Sequence, residues 1–133
     1  MSARSPSVET IRTALHPLDL APGARCWNED ELADLLPPSP IEAAVLVGLV
    51  ARTDGWRVLF TRRTDALRHH AGQVSFPGGR CDPCDATPID TALREAHEEV
   101  GIEPAQVEVL GCLPDYITGT GFRVTPVVGN RCP

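Results

Sequence analysis

The run from Gly78 to Gly101, GGRCDPCDATPIDTALREAHEEVG, decides how the rest of the chain is read. A double glycine opens it, an acidic turn follows, and a well-punctuated helix closes it. Thr87 suits the cap, Pro88 the first helical position, and Asp90 the positive end of the dipole. Gly101 supplies a left-handed stop. Ile89, Ala92, Leu93, Ala96 and Val100 recur at helical spacing and form one apolar stripe. Glu95, Glu98 and Glu99 share a face away from that stripe, with Arg94 beside them. Like charges at i and i+4 cost a helix on the order of 0.2–0.5 kcal/mol, and a bound cation reverses the sign. A set of oxygen donors on a rigid face suits Mg2+ or Mn2+, with phosphates and water completing the shell. For an isolated E-x-x-E-E the bland reading is a solvated acidic face. Its neighbours shift the balance.

Upstream, Arg57, Arg62, Arg63, Arg68 and Arg80 stand against the lone acid Asp65. Downstream, Asp82, Asp85 and Asp90 lead into the glutamates. A basic half to hold phosphates, joined to an acidic half to hold metal, is the pairing that phosphoanhydride chemistry requires. The surrounding pattern is that of strands. Within residues 41–50, Ala43 to Val50 are a continuous apolar run, fit for a buried strand. Thr53-Asp54-Gly55 signals a hairpin, with residues 56–61 returning. Residues 72–76 read as a third strand ending at the double glycine, and residues 107–110 as a fourth. Residues 114–121 form a loop. Residues 122–128 are the last strand, which Pro126 assigns to an edge or a bulge.

A chain of 133 residues fits one domain. Its formal charge of −6 argues against a general nucleic-acid binder, yet admits a phosphorylated substrate bridged by divalent cations. All 12 basic residues are arginine, which suits bidentate phosphate contacts. No run approaches the roughly 18 apolar residues of a membrane helix, and residues 1–6 lack a signal core. A soluble, cytoplasmic protein with no membrane partner is the expectation. Cys26, Cys81, Cys84, Cys112 and Cys132 are odd in number and scattered, unlike a secreted disulfide framework.

With those residues in view, the chain resembles a known family. The Nudix box runs G-x5-E-x7-R-E-U-x-E-E-x-G-U, with U apolar. Gly79 takes the first position, and Arg94-Glu95-Ala96-His97-Glu98-Glu99-Val100-Gly101-Ile102 matches the second half without a gap. Asp85 stands where the pattern has glutamate, and 8 residues rather than seven separate it from Arg94. The longer spacing is similar to that of the coenzyme A diphosphatase branch. Its upstream signature resembles L-L-T-x-R-S-x3-R-x3-G-x3-F-P-G-G. Here Leu59-Phe60-Thr61-Arg62-Arg63-Thr64, Arg68, Gly72 and Phe76-Pro77-Gly78-Gly79 stand in register, with Phe60 for leucine and Thr64 for serine.

The resemblance implies an α/β fold, a Nudix-type α/β/α sandwich with a mixed sheet over residues 41–133. A lead-in of short helices, at 7–15 and 29–36, fills residues 1–40. It implies a hydrolase that splits coenzyme A or an acyl derivative into 3′,5′-ADP and 4′-phosphopantetheine, by in-line attack of metal-activated water. Glu95, Glu98 and Glu99 would bind Mg2+ or Mn2+, and Arg94 would orient Glu95. Arg62, Arg63, Arg68, Gly78 and Gly79 would meet substrate. The general base stays open. A homodimer accords with the family. The alternatives are a diphosphatase for another nucleoside diphosphate derivative or a nucleoside triphosphate, and, of a different class, a catalytically inactive remnant. The last is raised because only 32 residues follow Gly101, so that a truncated domain with a bare sheet face and an open edge is expected. Cys81-x2-Cys84 reads as ordinary loop cysteines rather than a zinc site. His69 and His70 read as surface histidines, Trp27 and Trp56 as packing residues, and Tyr116 and Phe122 as flanks of a glycine-rich loop.

Overall fold

The computed structural model describes residues 5–15, 40–62 and 74–132. Its axis is β1 (Ile41–Arg52), a strand of 12 residues that takes partners on both edges. A two-residue turn at Thr53 and Asp54 returns the chain as β2 (Gly55–Leu59), antiparallel to the far half of β1. Gly55 lies at φ +134°, a conformation that side chains rarely adopt. Along the near half of the same edge runs β5 (Gly78–Arg80). On the opposite edge β8 (Phe122–Arg131) runs parallel to β1, from Ile41 beside Phe122 to Leu49 beside Asn130. The far edge of β8 is shared by β6 (Val107–Cys112) and β7 (Tyr116–Ile117), both antiparallel. The backbone order is thus β2-β1-β8-β6.

One helix, α2 (Pro88–Val100), lies on this sheet. Ala44 and Leu46 of β1, Val127 of β8 and Cys112 of β6 meet Ala92 and Ala96 of α2 in one core. Small alanines on the helix allow a close approach to the larger groups of the strands. The apolar stripe predicted for the helix fades towards its end, where Val100 is exposed. On the other face of the sheet Ala43, Val124 and Val128 are buried, while Val45 and Val47 of β1 are half-buried.

Three further expectations change. Residues 56–61 are not one strand: the chain breaks at Phe60, and β3 (Thr61–Arg62) pairs with β4 (Val74–Ser75) in a separate ribbon. Only Val74–Ser75 of the third predicted strand is a strand among the described residues. Pro126 does not sit at an edge, since β8 is flanked on both sides. It falls where β6 ends, at Cys112 opposite Val127, and before β7 begins, at Tyr116 opposite Val124. No ladder bond is asked of its missing N–H there, and its carbonyl accepts from Leu113 N at 3.0 Å.

In the lead-in, α1 (Val8–Ala14) is capped by Ser7 and buries no residue. The Trp56 indole N–H donates to the Pro6 carbonyl at 2.7 Å, and Arg12 reaches Glu108 of β6 at 3.5 Å. The helix expected at 29–36, Trp27 and Cys26 lie outside the described residues. Among the described residues no helix is long and apolar enough to cross a membrane.

Leu46 is 1 % exposed at the centre of the core, whereas Val58 on β2 is exposed. Leu46→Ala is expected to cost about 2–5 kcal/mol in denaturant unfolding. Val58→Ala is expected to stay within about 1 kcal/mol.

Candidate active site

The acidic turn and the helix are joined by one guanidinium. Thr87 caps α2, with Asp90 bonded back to the Thr87 backbone N–H at 3.1 Å, and Gly101 ends the helix at φ +73°. This punctuation fixes where Arg94 stands. Arg94 Nε donates to Asp85 Oδ1 at 3.1 Å and Nη2 to Asp85 Oδ2 at 2.9 Å, a two-pronged pair. Nη2 also reaches the Arg80 carbonyl at 3.3 Å. Nη1 turns to the glutamates, reaching Glu95 Oε1 at 3.1 Å and the Glu98 carboxylate at 3.5 Å. The fork therefore ties strand β5, the turn and the helix face together.

Asp85 is locked as firmly. Its side chain is 7 % exposed, and Oδ2 also accepts from the Thr91 hydroxyl and the Asp82 N–H, both at 2.9 Å. Asp82 in turn accepts from Cys84 N at 2.8 Å, closing the turn on itself. Hydrogen bonds from Arg94 and then from the Asp82 backbone hold the Asp85 carboxyl far below its ordinary range. A carboxylate so well supplied with donors is a poor proton acceptor, so Asp85 is a positioning group and a weak candidate for general base. The buried Thr91, which the sequence did not single out, belongs to this arrangement. It stands four residues before Glu95, on the glutamate face of the helix, and that spacing was the available signal.

The double glycine is explained by the protein's own atoms. A Cβ on Gly78 would run into the Ala44 carbonyl oxygen and Val45 of β1. A Cβ on Gly79 would lie 2.7 Å from the Glu95 carboxylate. Neither glycine has positive φ. They are small because strand and carboxylate press against the backbone. Glu95 is thereby seated between Arg94 and Gly79.

Glu98 and Glu99 are exposed on the same helix. Among the described residues, no three His, Cys, Asp or Glu side chains already converge where a cation would sit. The Arg94 guanidinium stands between Glu95 and Glu98 and offsets their repulsion. Arg62 is exposed on β3, while Arg63, Arg68, His69 and His70 lie outside the described residues. Cys81 and Cys84 are free thiols beside the turn. Across the sheet, Arg123 Nε bonds Asp115 Oδ2 at 3.1 Å, and Asp115 Oδ1 is buried without a partner. Partial desolvation pushes neighbouring Glu42 up, with Arg123 opposing. Sequence reading passed over this group, whose members come from three strands or loops.

Known proteins resemble this chain. The NUDIX domain profile matches residues 41–132. A Yersinia enterocolitica protein named Nudix hydrolase NudL, described as uncharacterized, is 55 % identical over 87 residues, covering 65 % of this chain and 44 % of its own length. Its Klebsiella pneumoniae namesake is 58 % identical over 88 residues, covering 66 % of this chain and 45 % of its own. The chain thus spans a little under half the length of these curated relatives. A crystal structure of a Mycobacterium smegmatis Nudix hydrolase, RenU, superposes with a TM-score of 0.59 at 26 % identity, covering 70 % of this chain and 62 % of that one.

Two outcomes follow for the clamp. Because the Asp85 pKa is lowered by folding, its stabilisation is complete above about pH 4 and is lost as pH falls below that value. Thermal unfolding from pH 7 to 2.5 is expected to show a falling melting temperature in the acid window, and Asp85→Asn to flatten that fall. Gly79→Ala is expected to displace the Glu95 carboxylate and weaken Mn2+ binding by about 10–100-fold in calorimetry, with the circular dichroism spectrum retained.

Proposed function

The chain belongs to the Nudix family, and from that premise we propose that it hydrolyses the diphosphate bond of coenzyme A or an acyl-coenzyme A. The products are 3′,5′-ADP and 4′-phosphopantetheine or its acyl form. One observation carries the reading. The Arg94 fork reaches both Glu95 and Glu98, Glu95 lies against Gly79, and Gly79 closes the F-P-G-G of the upstream signature. The same reading makes the partner a small molecule rather than nucleic acid, in line with the charge of −6, and the compartment the cytoplasm.

The donor set fits a hard divalent cation. Glu95, Glu98 and Glu99 offer only oxygen, and the cradle against Gly79 leaves no room for a side chain at the seat of Glu95. These three glutamates would hold Mg2+ or Mn2+. When bound, the cation supplies Lewis-acid polarisation of a phosphoryl oxygen and a water of lowered pKa. The protein does the positioning. Asp85 holds Arg94, and Arg94 holds Glu95 against Gly79. One or more of Arg62, Arg63 and Arg68 meets a substrate phosphate, which arginine's planar fork suits.

Incubating the purified chain with coenzyme A and Mg2+ or Mn2+ and resolving the products tests this. The expected result is 3′,5′-ADP, reduced about 100-fold or more by Glu98→Gln with Glu99→Gln. No product above that double variant contradicts the reading. Cleavage of a nucleoside triphosphate or nucleotide sugar alone moves the substrate and keeps the chemistry.

A further inference from the structure

The β3–β4 ribbon carries two unlike faces. Thr61 pairs with Ser75 and Arg62 with Val74. Alternation then places Phe60, Arg62, Val74 and Phe76 on one face, and Thr61 and Ser75 on the other. The hydroxyl face is closed by its own contact, Thr61 Oγ1 donating to the Ser75 carbonyl at 3.1 Å. The aromatic face is open. Phe60 and Phe76 stack with centroids 4.8 Å apart and planes inclined by 27°. Yet Phe60 is 49 % and Val74 56 % exposed, so the outer side of the stack is uncovered. Arg62 is exposed beside it and makes none of the ion pairs found among the described residues.

We propose that this face is a nucleobase platform, on which the base of the substrate stacks against Phe60 while Arg62 meets a phosphate of the same nucleotide. The proposal rests on the phosphoanhydride reading above, and under the coenzyme A reading the base is adenine. A flat π-surface beside a cation matches a ligand that is itself flat and anionic. The ribbon is held in place relative to the site. Pro77 is fully buried and its carbonyl accepts from Leu46 N at 2.8 Å. Gly79, three residues after Phe76, abuts Glu95. Three residues across the bend at Pro77 keep the platform within about 10 Å of the backbone that abuts Glu95, a reach compatible with a base and its 5′-diphosphate. Phe60 stands where the signature quoted above has leucine.

Charge selects this occupant over others. A second copy packed about a two-fold axis on this face would bring Arg62 towards its own mate in a self-facing contact. An apolar acyl or pantetheine arm would use the phenylalanines and leave the guanidinium unmatched.

Calorimetric titration of ADP and of inorganic diphosphate, each with Mg2+, into the wild type, Phe60→Leu and Phe60→Tyr tests the proposal. Phe60→Leu is expected to weaken ADP about 10-fold and leave diphosphate unchanged, while Phe60→Tyr keeps the wild-type values. The proposal is overturned by an unchanged ADP affinity in Phe60→Leu, by equal losses for both ligands, or by failure of the wild type to bind ADP more tightly than diphosphate. Weakened 4′-phosphopantetheine binding with ADP unaffected gives the face to the other arm and overturns it. Monomerisation of Phe60→Leu in sedimentation, with ADP unaffected, gives it to a second copy and does the same. An ADP loss in a protein that leaves coenzyme A uncleaved retains the platform and removes the coenzyme A reading.

Discussion

The arrangement depends on a single guanidinium. Arg94 has five N–H groups, and the structure spends them on Asp85, the Arg80 carbonyl, Glu95 and Glu98. Lysine has the charge without the planar fork, and no other side chain spans a turn, a strand and a helix face at once. Glu95 and Glu98 repel, and Asp85 adds a third negative charge to the neighbourhood. Without the arginine the helix face would be strained by its own carboxylates, and the turn would lose its anchor. With it, one carboxylate is committed to structure and the others remain presented.

The scaffold serves that geometry from the other side. β1 takes β2 and β5 along one edge and β8 along the other, and this long strand sets the depth at which β5 lies. Gly78 allows β5 to reach it, and Gly79 then presents bare backbone to Glu95. Ala92 and Ala96 bring α2 close enough to the sheet for the two to meet. A larger residue at any of these points would lift the helix away from the strand, and the fork of Arg94 would no longer reach Asp85 and Glu95 together.

What the sequence made legible was local. Thr87, Pro88, Asp90 and Gly101 act within a turn of where they stand, so the helix bounds could be read directly. The run 43–50 was visible because a strand with one face in the core and the other half-buried is apolar on both. Non-local facts were not visible. Pro126 obeyed its rule by sitting in a gap between two partner strands, which a single strand's sequence cannot show. The break at Phe60 and the separate ribbon depend on which strand pairs with which. Asp85 read as a shortened glutamate of uncertain use. Its role as the anchor of Arg94 emerged only when the turn brought residues nine apart into contact. The glutamates showed their shared face in sequence, but the arginine standing between two of them is a matter of rotamers.

The central claim is that the fork of Arg94, and not merely its charge, organises the helix face for a divalent cation. Mn2+ titration of Arg94→Lys against the wild type at neutral pH tests it most directly. The account predicts affinity lower by about 10–100-fold with the fold retained, because the lysine cannot hold Asp85 and Glu95 at once. Unchanged Mn2+ affinity in Arg94→Lys would contradict it.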